Sequence, residues 1–92
     1  MSDAFVATVE VPNRLGLHAR AAAKLVHVAN RYEAEIQVSK DEQVADAKSI
    51  MGVLLLCGQR GARLTIRAIG ADAEAALEAL CDLVTSGFGE TQ

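Results

Sequence analysis

Residues 62–69 read ARLTIRAI, and this stretch decides the fold. Leu64, Ile66 and Ala68 point one way, Arg63, Thr65 and Arg67 the other. Alternation with period two is the pattern of a strand with one dry and one wet face. Gly70 ends it. A sheet wetted on one side favours antiparallel pairing, so any helices must gather on the opposite face. Upstream, residues 4–11 (AFVATVEV) alternate in the same way, with Phe5, Ala7, Val9 and Val11 on one side. Residues 34–39 (AEIQVS) repeat the pattern, and a polar turn at 40–43 (KDEQ) leads to a short strand near Val44.

Between these strands lie helical stretches. The loop 12–17 (PNRLGL) carries the turn residues Pro12, Asn13 and Gly16. An alanine-rich helix is expected from about His18 to Asn30. Ser49 is placed to cap a second helix, SIMGVLLLC, which a glycine-bounded connection (GQRG, 58–61) separates from the strand at 62–69. Asp72 is placed as the N-cap of a last helix running to about Thr85, with Glu74 in its first turn. Gly87 to Gln92 read as a fraying tail. The order is β-α-β-β-α-β-α. The fold class is α+β, an open-faced β-sandwich: a four-stranded antiparallel sheet covered on one face by three helices.

The chain of 92 residues is 51% hydrophobic and carries 9 Lys+Arg against 12 Asp+Glu, a formal charge of −3. Those values suit one domain, residues 1–92, with one core. The acidic balance and only three aromatic residues (Phe5, Tyr32, Phe88) argue against nucleic acid as a partner. No apolar run is long enough for a membrane span, and the N-terminus lacks the basic start of a signal peptide. Cys57 and Cys81 have no metal-ligand spacing and lie in apolar stretches, so both are expected as small buried hydrophobes without a disulfide. A cytoplasmic protein with no metal and no cofactor is expected.

Three features carry possible chemistry. His18 follows a glycine-containing loop at the expected start of a helix, where free N–H groups and the helix dipole favour a phosphate. An imidazole is a competent nucleophile near neutral pH, and Arg20 supplies a fork of donors for phosphate oxygens. Second, at 100° per residue from Arg20, Lys24, His27 and Arg31 fall at about 40°, 340° and 20°. They form a basic ridge opposite Ala22, Leu25, Val26 and Ala29, suited to an acidic partner. Third, Ile50, Met51, Val53, Leu54, Leu55, Leu56 and Cys57 surround the second helix almost completely. A short surface helix buries only one side, so some of these must remain exposed as a partner site. A phosphate on Ser49 would add about −1.5 to −2 charges at the edge of that patch without opposing the helix dipole.

At these residues the chain resembles a known family. N13-R-L-G-L-H18-A-R20 is similar to the active-site signature of the histidine-containing phosphocarrier protein (HPr) family of the bacterial phosphoenolpyruvate-dependent phosphotransferase system. A47-K-S49-I-M-G-V53 is similar to the signature around the regulatory serine of that family. The motifs lie about 30 residues apart, and two together are far more specific than either alone. The resemblance covers about residues 4–86.

It implies that His18 accepts a phosphoryl group on Nδ1 from a donor enzyme, enzyme I, and passes it to IIA-type acceptors. Arg20 would stabilise the phosphohistidine. Ser49 would be the target of an HPr kinase/phosphorylase. Leu17, Lys24, His27, Ile50, Met51, Leu54 and Leu55 would form the docking surface of a monomeric carrier. Two departures stand out. Ala21 replaces the proline that most members have after the arginine, which should loosen the first turn by about 0.5–1 kcal/mol. Cys57 replaces a glycine at the end of the second helix, predicting an altered C-cap. The ending SGFGE resembles carriers of the nitrogen-related branch. The competing readings are a regulatory module of the same fold, acting through Ser49 and the apolar patch, and a ligand-binding α+β domain unrelated to phosphate.

Overall fold

A computed structural model describes residues 3–90. Its strands are β1 (Ala4–Glu10), β2 (Glu35–Lys40), β3 (Gln43–Asp46) and β4 (Arg63–Ile69), and its α-helices are α1 (Ala19–Ala29), α2 (Ile50–Leu55) and α3 (Ala73–Thr85). A 3₁₀ turn, Gly87–Gly89, follows α3. The expected order of elements is therefore the observed one.

The strands form one sheet in the order β1-β4-β2-β3, and every pairing is antiparallel. The ARLTIRAI strand lies inside it, paired on both edges. Ile66 stands opposite Ala7 on one side and Val38 on the other, and Ala68 opposite Phe5 and Ile36. Leu64, Ile66 and Ala68 are buried, whereas Arg63 and Arg67 are exposed, as period-two alternation requires. Thr8 and Thr65 face each other across the wet side, hydroxyl to hydroxyl at 3.1 Å.

The helices cover the dry side. α3 lies against β1 and β4, and α1 packs between α2 and α3. Their inward residues are mostly small: Ala21, Ala22 and Ala29 on α1, Ala73 and Ala76 on α3. Small side chains let the layers approach, and Leu25, Leu80 and Val84 from the helices share one buried core with Val38, Leu64 and Ile66 from the sheet. No helix of the described residues is long and apolar enough to cross a membrane.

Three sequence expectations, for Asp72, the cysteines and the C-terminal segment, need correction. Asp72 stands at the N-cap position of α3 but makes no capping bond. Its carboxylate instead accepts the Glu33 N–H at 2.9 Å and the Ala34 N–H at 2.8 Å, tying the entry of β2 to the start of α3. The Glu33 bond leads the causes that hold the Asp72 carboxyl below its usual range. Cys57 is exposed, not buried, and Cys81 is half-buried, where burial pushes its thiol up. The expected altered C-cap is a strained one: Cys57 takes φ 52°, the left-handed conformation that favours glycine. Finally, the C-terminal segment does not fray over its described part. Gly87, Phe88 and Gly89 take φ 70°, 59° and 72° in succession, and this coil drives Phe88 into the core, where it is 1% exposed. Residues 91 and 92 lie outside the described residues.

Candidate functional site

The loop between β1 and α1 is pinned to the connection before β4. The Val11 N–H donates to the Ala62 carbonyl at 2.8 Å, and the Leu17 N–H donates to the Gly58 carbonyl at 2.6 Å. Gly16 between them has φ 67°, and a Cβ there would lie 2.5 Å from the Gly58 oxygen. Only glycine permits both the conformation and the approach. Asn13 is fully buried beneath the loop, and its Nδ2 donates to the Gly16 carbonyl at 2.8 Å. This scaffold fixes where α1 begins.

His18 is the N-cap of α1, with φ −77° and ψ 179°. Its Nδ1 accepts the Arg20 N–H at 3.2 Å. Capping by a ring nitrogen assigns the tautomer: Nδ1 holds the lone pair and Nε2 carries the proton. Nε2 meets the carboxylate of Glu90. The other oxygen of that carboxylate accepts from Asn13 Nδ2 at 2.8 Å. These two bonds, Asn13 first and His18 second, hold the Glu90 carboxyl below its usual range. The His18 side chain is 27% exposed, enough for a partner to reach the ring.

An open cleft lies beside it, lined by Leu15, His18, Arg20, Lys24 and Glu90. Arg20 is exposed. Lys24, expected on the free basic ridge with His27 and Arg31, turns aside and donates from Nζ to the Phe88 carbonyl at 2.7 Å. His27 and Arg31 are exposed as expected. The cleft thus offers an unprotonated ring nitrogen, two cations and the amide end of an eleven-residue helix. That set suits a transferable phosphoryl group, whose oxygens need positive charge and directed N–H donors. Among the described residues no cluster of His, Cys, Asp or Glu could hold a metal ion.

α2 supplies the second part of the site. Ser49 caps it, its Oγ accepting the Gly52 N–H at 3.2 Å. Ile50, Met51 and Leu55 are 41%, 64% and 67% exposed, while Val53 and Leu56 enter the core. The helix therefore presents a three-residue apolar face. Two expected docking residues do not stand on it: Leu17 is 5% exposed and belongs to the core, and Leu54 is half-buried against it. Leu17 is held inward by the bond of its own N–H to Gly58, and its neighbour Leu15 is the exposed one, at 65%. Sequence reading missed Leu15, Asn13, Phe88 and Glu90. The glycines flanking Phe88 were the available signal for the last two, since glycine supplies the positive φ of a tight turn.

The family model described as PTS HPr component phosphorylation site matches residues 5–86. The phosphocarrier protein NPr of Shewanella violacea is 45% identical over 82 residues, 89% of this chain and 90% of that protein. The phosphocarrier protein HPr of Cupriavidus necator is 42% identical over 78 residues, 85% and 88% of the two chains. The crystal structure of HPr-C-His from Thermoanaerobacter tengcongensis superposes with a TM-score of 0.92 at 42% identity, covering 96% of this chain and 99% of that one.

Proposed function

Since this chain belongs to the HPr family of phosphocarrier proteins of the phosphotransferase system, we propose that His18 Nδ1 is its phosphoryl acceptor. The observation that carries the reading is the cap geometry: Nδ1 bears the lone pair, the ring is open to a partner, and Arg20 and Lys24 line the same cleft. When phosphorus bonds to Nδ1, the Arg20 N–H loses its nitrogen acceptor and lies beside the incoming oxygens. The amide that holds the empty ring thus steadies the loaded one. Little covalent work falls to the protein, because phosphoryl transfer is mostly positioning and charge stabilisation.

The donor is enzyme I and the receivers are IIA-type proteins, docking on Ile50, Met51, Leu55 and Leu15 with the His27 and Arg31 ridge beside them. The longer multiphosphoryl transfer protein of Vibrio cholerae, 44% identical over 90 residues, supports a place in such a chain. The carrier works as a cytoplasmic monomer. Incubated with phosphoenolpyruvate and enzyme I, the protein should gain the mass of one acid-labile phosphoryl group, absent from His18→Ala. An unchanged wild-type mass would overturn the reading.

A regulatory role in the nitrogen-related branch is the second reading, supported by the likeness to the Shewanella NPr. In it, a kinase/phosphorylase modifies Ser49, whose Oγ stands at the edge of the exposed α2 face. Negative charge there would oppose acidic partners while leaving α2 capped. Ser49→Asp should slow phosphorylation of His18 with little change in stability. Equal rates for that variant and the wild type would remove Ser49 from the scheme.

A further inference from the structure

The contact of Glu90 with the rear of the His18 ring assigns a task to the C-terminal segment. We infer that Glu90 is a positioning residue which keeps a proton on His18 Nε2, thereby excluding phosphorylation at Nε2 and making the loaded ring a better leaving group. The functional part of this inference rests on the phosphocarrier reading, but its chemistry is testable without any partner protein.

The segment is built for a fixed contact. Phe88 is sealed in the core, and its carbonyl accepts from Lys24 Nζ at 2.7 Å. Asn13, buried and bonded to Gly16, holds the second carboxylate oxygen of Glu90. The carboxylate is thus oriented from two sides before it meets Nε2. Two further groups act on it or near it: Lys24 lies close enough to help keep it ionised, and Arg20 lines the same cleft.

Consider the electrons. In loading, the Nδ1 lone pair attacks phosphorus, and the bond from phosphorus to the donor breaks, its pair leaving with the donor. The Nε2 proton stays in place, so the product ring is a cation facing the Glu90 carboxylate. In unloading, the N–P bond breaks and its pair returns to Nδ1. The leaving ring is then neutral imidazole. Were Nε2 deprotonated, the leaving group would be an imidazolate, which is far poorer. An adjacent carboxylate favours the protonated ring and so keeps the loaded form labile. It also occupies the direction from which phosphorus would approach Nε2.

Potassium phosphoramidate, which phosphorylates imidazoles unaided, tests both parts. Wild-type protein should yield the Nδ1 isomer by phosphorus–proton correlation NMR, and Glu90→Ala a mixture containing the Nε2 isomer. Release of phosphate from the Nδ1-loaded protein should be about threefold or more slower at pH 8 in Glu90→Gln, with the profile displaced to lower pH. Circular dichroism should match the wild type, since Phe88 stays seated, and the melting temperature should fall only by the loss of the Asn13 and His18 bonds. The same isomer ratio in wild type and Glu90→Ala, or superimposable release profiles for wild type and Glu90→Gln, would overturn the inference. Failure of enzyme I to load the wild type would remove the carrier reading instead.

Discussion

Gly16 sets the position of the nucleophile by having no side chain. With its Cβ direction filled by the Gly58 oxygen, Gly16→Ala must shift the loop or the connection before β4. The expected cost is about 2 kcal/mol, combining positive φ with a clash, and His18 should lose its capping bond to Arg20. A chemical denaturation curve and the His18 ring resonances would record the two effects. Cys57 presents the opposite case: a side chain where glycine belongs. Cys57→Gly should raise stability by about 0.5–1 kcal/mol in the same measurement, because φ 52° costs glycine nothing. Glu90 has a depressed carboxyl, so its bond to His18 is intact above the ordinary value of 4.5 and is lost as pH falls through its lower folded value. A titration of the His18 ring signals should register that release in acid, and Glu90→Gln should abolish it.

At the scale of elements, local reading was accurate where local physics acts. Strand alternation, the start of α1 near His18 and the Ser49 cap of α2 depend on residues within a few positions, and each was legible. What was not legible depends on distant partners. His18 meets Glu90 72 residues away, Asn13 meets it 77 residues away, and Lys24 reaches Phe88 across 64. No period or cap motif encodes such pairs. Asp72 illustrates the conflict directly: a good capping residue is drawn off by two backbone amides of the α1–β2 connection. Its lowered carboxyl stabilises the fold above the ordinary value of 3.8, and that contribution disappears as pH falls through the folded value. Asp72→Asn should therefore flatten the acid limb of a stability–pH profile while lowering stability at neutral pH.

For the whole molecule, one core supports both halves of the site. Leu25 on α1 lies fully buried in the core, so Leu25→Ala should cost about 2–5 kcal/mol by denaturation. Phe88→Ala should cost a comparable amount, about 3–5 kcal/mol, but with a different signature. It unseats the segment that carries Glu90, so altered phosphate release should accompany the lost stability, whereas Leu25→Ala loses stability alone. Layer arrangement followed from the alternating strands, yet the way the chain's last turn returns to its first helix did not. That closure arises from Phe88 filling a gap which only the assembled helices and sheet create.

The two thiols differ in a way that is useful at the bench. Cys57 stands exposed on the far wall of the loop that carries His18, near Arg14, Leu17 and Arg60. Burial disfavours the thiolate of Cys81. A maleimide fluorophore should consequently attach at Cys57 alone in the native protein, giving an optical reporter of docking beside the histidine with no substitution in the sequence.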